Sequence, residues 1–173
     1  MTNAIPINII RFIGLLVLQV LILKPISSGW EGFIFVNFIV YPLFILLLPL
    51  RTPMPAALLS AFAMGILVDA AYDSWGVHAA ASVLTAYVRP LPLKWLQPRE
   101  GYNVNHSPTK KRMGLRWFLA YSSIMMGFHL LVYYSLDAFS PIFIKSILLK
   151  TLYSFPLSMV FVMIVMNIFN PED

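Results

Sequence analysis

Apolar runs long enough to cross a bilayer follow one another along this chain with little but short breakers between them. A spanning helix needs about 20 mostly apolar residues. The longest polar interval, Gln97 to Gly114, is too short to fold around a core of its own. With 60% of its residues hydrophobic and 11% charged, the chain is far more apolar than soluble domains are. The expectation is an all-α, polytopic integral membrane protein whose residues 1–173 form a single transmembrane domain. Function then sits inside the bilayer, at its surfaces or in partners.

The breakers divide the chain into a bundle of six expected transmembrane helices, at about 7–24, 33–50, 55–72, 76–96, 115–136 and 142–168, with a basic loop at 97–114. Lys24-Pro25 through Gly32 combines a helix breaker with serines and glycines. Pro49 through Pro55 brackets Arg51, and Ser140-Pro141 opens the last span. Asp73-Ser74-Trp75-Gly76 is a tight polar turn, so the third and fourth spans form a close hairpin. Arg11 followed by Phe12 to Leu23 resembles a signal peptide, yet no small-residue cleavage site follows, and the segment reads as a retained first helix.

With six spans, the termini and the second and fourth connections share one side. That side holds Arg11, Arg51, Arg89, Lys94, Arg99, Lys110, Lys111, Arg112 and Arg116, against Lys24, Lys145 and Lys150 on the other. The positive-inside rule therefore places both termini in the cytoplasm. Trp30, Trp75, Trp95 and Trp117 fall at expected helix ends, the depth an amphipathic ring prefers. Lys145 and Lys150 must snorkel outward or face a groove.

Several chemistries are excluded. Without cysteine there are no disulfides, thiolate metal sites or cysteine nucleophiles. The net charge of +5 lies beside hydrophobic segments, where it sets topology and meets anionic lipids, and does not signal nucleic acid. No G-x-S-x-G, H-E-x-x-H, Walker-type or Gly-rich dinucleotide motif occurs. His78, His106 and His129 lie on three different segments. No catalytic residue, metal site or cofactor is assigned, and the chain is not expected to be an enzyme.

The polar residues within the spans carry the remaining information. Ala57, Ala61, Gly65 and Asp69 recur every four residues, a face of small side chains suited to close helix packing. An unpaired Asp69 carboxylate there would cost on the order of 3 kcal/mol. Two readings stand: Asp69 pairs with His78, or it caps the Tyr72–His78 turn. His78, Ser82, Thr85 and Arg89 form a stripe on one face of the fourth span, with Arg89 roughly 16 Å deeper than His78. Arg89 is expected at headgroup phosphates near the cytoplasmic boundary. Gln19, Asn37, Asp69, His78 and His129 all fall in the outer halves of their spans, either converging on a cavity or making separate interhelical hydrogen bonds. Lys110, Lys111, Arg112 and Arg116 form a basic patch that anchors orientation or docks a partner or anionic lipid.

In its middle the chain resembles a known family. The residues are Gly65-Ile-Leu-Val-Asp69, Gly76-Val-His78-Ala79-Ala80-Ala81 and Ala86-Tyr87-Val88-Arg89-Pro90, then Pro98-Arg-Glu-Gly101-Tyr102 and Met113-Gly114-Leu-Arg-Trp117-Phe118-Leu119-Ala-Tyr121. This ordered set, within residues 50–137, resembles the rod shape-determining protein MreD family in its Bacteroidota form. Asp73 and Trp75 make the outer turn more acidic and bulkier than that family's pattern. The resemblance implies a non-enzymatic scaffold, an accessory subunit of the cell-elongation machinery in the bacterial inner membrane, required for cell shape and lateral wall synthesis. Its implied partners are an MreC-type protein and, through it, an MreB-type cytoskeleton, a RodA-type polymerase and a penicillin-binding transpeptidase. The family is also similar in architecture to the substrate-binding subunits of energy-coupling-factor vitamin transporters, which supplies the alternative of a small-solute-binding subunit. An intramembrane hydrolase built on Asp69 and His78 is a third reading.

Overall fold

The computed structural model describes residues 4–28, 36–103 and 106–169. Among these the structure is helical, without strands. Four helices are long and apolar enough to cross a membrane: Ile5–Ser27, Met54–Tyr72, Leu115–Ala138 and Pro141–Phe169. The first, α1, runs as Ala4–Val17, widens into a π-helical stretch at Leu18–Leu23 and continues as Lys24–Ser28. Lys24-Pro25 therefore does not end it. In the widened stretch the Lys24 N–H bonds to the Gln19 carbonyl, one residue further back than in an α-helix. That shift lets the chain absorb a proline and carry on. Gly29, Trp30 and Gly32 of the expected break lie outside the described residues.

The second expected span departs most from expectation. Residues 33–35 lie outside the described residues; residues 36–40 have no regular structure, Tyr41 and Pro42 turn, and only Leu43–Leu47 (α2) is α-helical. This segment is the centre of the molecule. Val40, Tyr41, Leu43, Ile45 and Leu46 have no solvent exposure, and Ile39 is 2% exposed. A continuous helix over 33–50 is replaced because other elements' side chains supply the hydrogen bonds that a helix would have made internally. Non-helical backbone at membrane depth is tolerated when buried in protein in this way.

Met54–Tyr72 (α3) matches its expected limits, with Pro55 in the first turn where its missing N–H costs nothing. It ends at Asp73, whose φ of 53° is left-handed, and Gly76 at φ 83° completes the tight turn. The fourth expected helix is two shorter ones, Val77–Val88 (α4) and Pro90–Trp95 (α5), divided at Arg89-Pro90. A short helix Lys110–Met113 (α6) sits in the basic loop and precedes Leu115–Ala138 (α7). The last column, α8, opens with a 3₁₀ turn at Pro141–Phe143 and continues as Ile144–Phe169 around an internal Pro156.

Small residues place α3 against α4. A Cβ added at Gly65 would lie 2.4 Å from the Ala79 Cα and 2.7 Å from the His78 carbonyl oxygen. Ala57, Ala61 and Asp69 are buried along the same face. The small-residue face is thus consumed inside the fold and is not offered to a partner. Trp117 bonds through its indole N–H to the Leu96 carbonyl at 2.7 Å, and Trp75 and Trp95 are exposed at helix ends.

Candidate functional site

The π-helical stretch of α1 turns Gln19 into the core, where it serves the extended segment as a template. Its Oε1 accepts the backbone N–H of Val40 at 2.8 Å and of Tyr41 at 3.3 Å, while its Nε2 donates to the Phe38 carbonyl at 2.9 Å and the Tyr72 hydroxyl at 2.7 Å. Serines complete the set. Ser154 Oγ accepts the Asn37 N–H and Ser158 Oγ the Ile39 N–H, both at 3.0 Å, and Ser27 Oγ accepts the Phe38 N–H at 3.2 Å. Consecutive N–H groups from Asn37 to Tyr41 are therefore all satisfied by side chains of α1 and α8, as buried donors require.

That template positions Tyr41 between two histidines. Its hydroxyl lies 3.0 Å from His78 Nδ1 and 2.8 Å from His129 Nε2. On its far side His129 Nδ1 meets Thr85 Oγ1 at 2.8 Å, and Thr85 donates to the Ala81 carbonyl at 2.7 Å. With a neutral imidazole at each histidine, one arrangement of protons fits. Thr85 donates to Ala81, so His129 donates from Nδ1 to Thr85; its Nε2 then accepts from Tyr41, whose oxygen accepts from His78 Nδ1. The chain of donors ends at His78 Nε2, which has no hydrogen-bond partner among the described residues. Tyr133 packs over the His78 ring, centroids 4.6 Å apart.

Asp69 acts as a cap. Its Oδ1 accepts the Ser74 hydroxyl at 2.5 Å and the His78 backbone N–H at 3.0 Å, and its Oδ2 accepts the Ala79 N–H at 2.8 Å. An anionic oxygen pair on the first N–H groups of α4 is favoured by the helix dipole. Of the two readings of Asp69, the cap on the turn is the one observed. The His78 imidazole turns away to Tyr41, so the carboxylate and ring do not form the pair that an acid–base role needs.

The expected stripe on the fourth span is real and faces inward: His78, Ser82, Thr85 and Arg89 are at most 5% exposed. Arg89 bonds within the protein. Its Nε donates to the Tyr121 hydroxyl at 3.1 Å and its Nη2 to the Leu48 carbonyl. The break in the second span explains this, because α2 ends at Leu47 and leaves the Leu48 carbonyl without a helical partner.

The basic loop folds back under the bundle. Arg11 reaches Ser107 Oγ at 2.9 Å, and the Leu50 N–H bonds to the His106 carbonyl at 3.1 Å. Lys110 donates to Asn167 at 2.5 Å, and Arg112 meets His106 at 3.1 Å. Lys111 and Arg116 are exposed. At the opposite end Lys24 bonds to the Ala71 carbonyl, and Lys150 pairs with Asp137 at 3.5 Å. Among the described residues no three His, Cys, Asp or Glu side chains stand close enough to hold a metal ion.

Of the five residues expected in the outer halves of their spans, Gln19, His78 and His129 join one connected interior through Tyr41 and Tyr72, Asp69 adjoins it through the His78 backbone, and Asn37 enters through its backbone. Tyr41, Ser154 and Ser158 were not singled out by sequence, and Tyr121 entered only within the quoted resemblance. Ser154 and Ser158, four residues apart and straddling Pro156 in an apolar helix, carried the one available signal. Comparison with family models, with curated proteins and with solved structures returned no match.

Proposed function

We propose that this chain is a non-enzymatic membrane scaffold of the MreD type, an accessory subunit of the bacterial cell-elongation complex that grips an MreC-type partner. In this reading residues 36–50 and 77–95 complete six crossings. Both termini then face the cytoplasm of a bacterium's inner membrane, the side that the basic loop favours.

One observation carries the reading. Only 11% of the apolar window of α1 is buried, against 28% to 39% for the other long helices. Beside it an apolar groove of about 400 Å³ opens between α1 and α8, lined by Ile7, Ile10 and Gly14 on one wall and Val165, Met166 and Phe169 on the other. In lipid, helices associate by close packing, which a groove with glycine in its wall permits. A single spanning helix is the shape such a groove accepts. The solute-binding alternative would rest on His78 Nε2, since Gln19, Asp69 and His129 are already bonded to groups of the protein.

The absence of cysteine makes the test direct. A Gly14→Cys variant, whose added Cβ meets nothing within 4 Å, is co-expressed with an MreC-type protein carrying one cysteine in its spanning helix. Oxidative cross-linking at Gly14, absent when the cysteine is placed at buried Ala61, is the expected result. An MreC-type protein that neither co-purifies with the chain nor cross-links to it rejects the assignment.

A further inference from the structure

We propose that the cavity beside Arg89 is a binding site for a phosphate-bearing anion, entered from the side of the basic loop. The cavity has a volume of about 260 Å³ and is lined by Arg89 together with Thr52, Met54, Ala57, Pro90 and Tyr102, among others. That is several times the roughly 30 Å³ share of one water, room for a phosphoryl group and part of what it is esterified to.

The charge argument comes first. Arg89 is 5% exposed, and the groups it bonds, the Leu48 carbonyl and the Tyr121 hydroxyl, are neutral. Among the described residues no carboxylate lies within ion-pair distance of it. A guanidinium cannot shed its proton to escape burial, and a buried cation without a counter-charge is strongly disfavoured. The fold holds that cation at the wall of an opening, so a counter-anion there offsets what the protein has left uncompensated.

The geometry suits an oxyanion. Two neutral acceptors fix the guanidinium plane, leaving the rest of its N–H fork for a ligand. Planar forks of this kind match phosphate oxygens in pairs of parallel bonds. The Tyr102 hydroxyl donates to the Leu93 carbonyl at 2.8 Å, which holds its ring as a wall, and Thr52 is part of the lining. Ala57, Ala86 and Met54 complete an otherwise apolar lining. A charged end against an apolar wall suits the headgroup of an anionic phospholipid or a free phosphate, sources with the same recognised chemistry.

The test follows thermal unfolding of the purified full chain in a neutral detergent. Three probes are titrated separately: inorganic phosphate, phosphatidylglycerol in mixed micelles, and diacylglycerol as the uncharged control. A saturable rise in Tm with either phosphate-bearing probe, and none with diacylglycerol, is expected. A response to inorganic phosphate identifies a free anion as sufficient; a response to phosphatidylglycerol alone identifies the lipid. In Arg89→Gln the apparent affinity falls on the order of tenfold or more, the loss of a charge-assisted contact. In the exposed double variant Lys111→Gln/Arg116→Gln it is retained. Should Arg89→Gln not fold, Thr52→Trp fills the cavity while keeping the guanidinium, and the response must vanish there too. The site is rejected if neither phosphate-bearing probe raises Tm, if Arg89→Gln responds like the parent, or if Thr52→Trp keeps the full response.

Discussion

The side-chain oxygen of Gln19 accepts the backbone N–H of Val40 at 2.8 Å, and through it the first helix holds open a stretch of chain that its own composition would have coiled. Each N–H that loses such an acceptor inside an apolar core costs about 1 to 3 kcal/mol. Gln19→Leu orphans the Val40 and Tyr41 donors together, along with the Phe38 carbonyl and Tyr72 hydroxyl that the amide served. A loss on the order of several kcal/mol is expected, read as a lowered unfolding temperature in detergent and as amide exchange appearing at residues 38–41.

Gly65 and Gly14 make a matched pair. Gly65→Ala drives a methyl group into the Ala79 backbone, which must move, and overpacking of this kind costs about 1 to 3 kcal/mol. Gly14→Ala meets nothing within 4 Å and replaces a poor helix former, a gain of up to about 1 kcal/mol. Opposite signs in thermal unfolding of the two variants are expected; equal behaviour would show that the α3–α4 seam is not as close as described.

Asp69→Asn tests the cap. The carboxylate accepts from three donors, Ser74, His78 and Ala79, and an amide keeps one acceptor oxygen while pointing an NH₂ group at a donor. The loss of charge-assisted bonds gives an expected destabilisation of about 1.5 to 3 kcal/mol, with the 73–76 turn opening first. Limited proteolysis at that turn reads it.

The proton arrangement around Tyr41 is open to spectroscopy. Nitrogen-15 shifts are expected to place the proton on Nδ1 in both His78 and His129. Tyr41→Phe removes the bridging hydroxyl, orphans two ring nitrogens and costs about 1 to 3 kcal/mol. An Nε2 tautomer at His129 in the parent would reverse the direction of the chain of donors.

Much of the architecture was legible before any coordinates. The long helices Met54–Tyr72, Leu115–Ala138 and Pro141–Phe169 fall within a few residues of their expected limits, because an unbroken apolar run between proline or glycine breakers has few other options. The small-residue face and the stripe from His78 to Arg89 were readable for the same reason: helical spacing puts residues on one face wherever a helix forms. The second span was not readable. Phe38 through Leu48 is as apolar as a lipid-facing helix, and composition does not reveal that Gln19, Ser27, Ser154 and Ser158, all distant in sequence, would satisfy its backbone.

The sequence by itself determined that the chain is helical and apolar, where three of its four long helices begin and end, and which faces of them are small or polar. It did so because these properties depend on neighbours within a turn or two along the chain. Only the tertiary structure decided that residues 36–42 run unwound through the core, that Tyr41 sits between His78 and His129, and that Arg89 is buried at a cavity wall. Hydropathy measures the preference for an apolar surrounding and is blind to whether lipid or protein provides it, so contacts between distant segments had to settle those points.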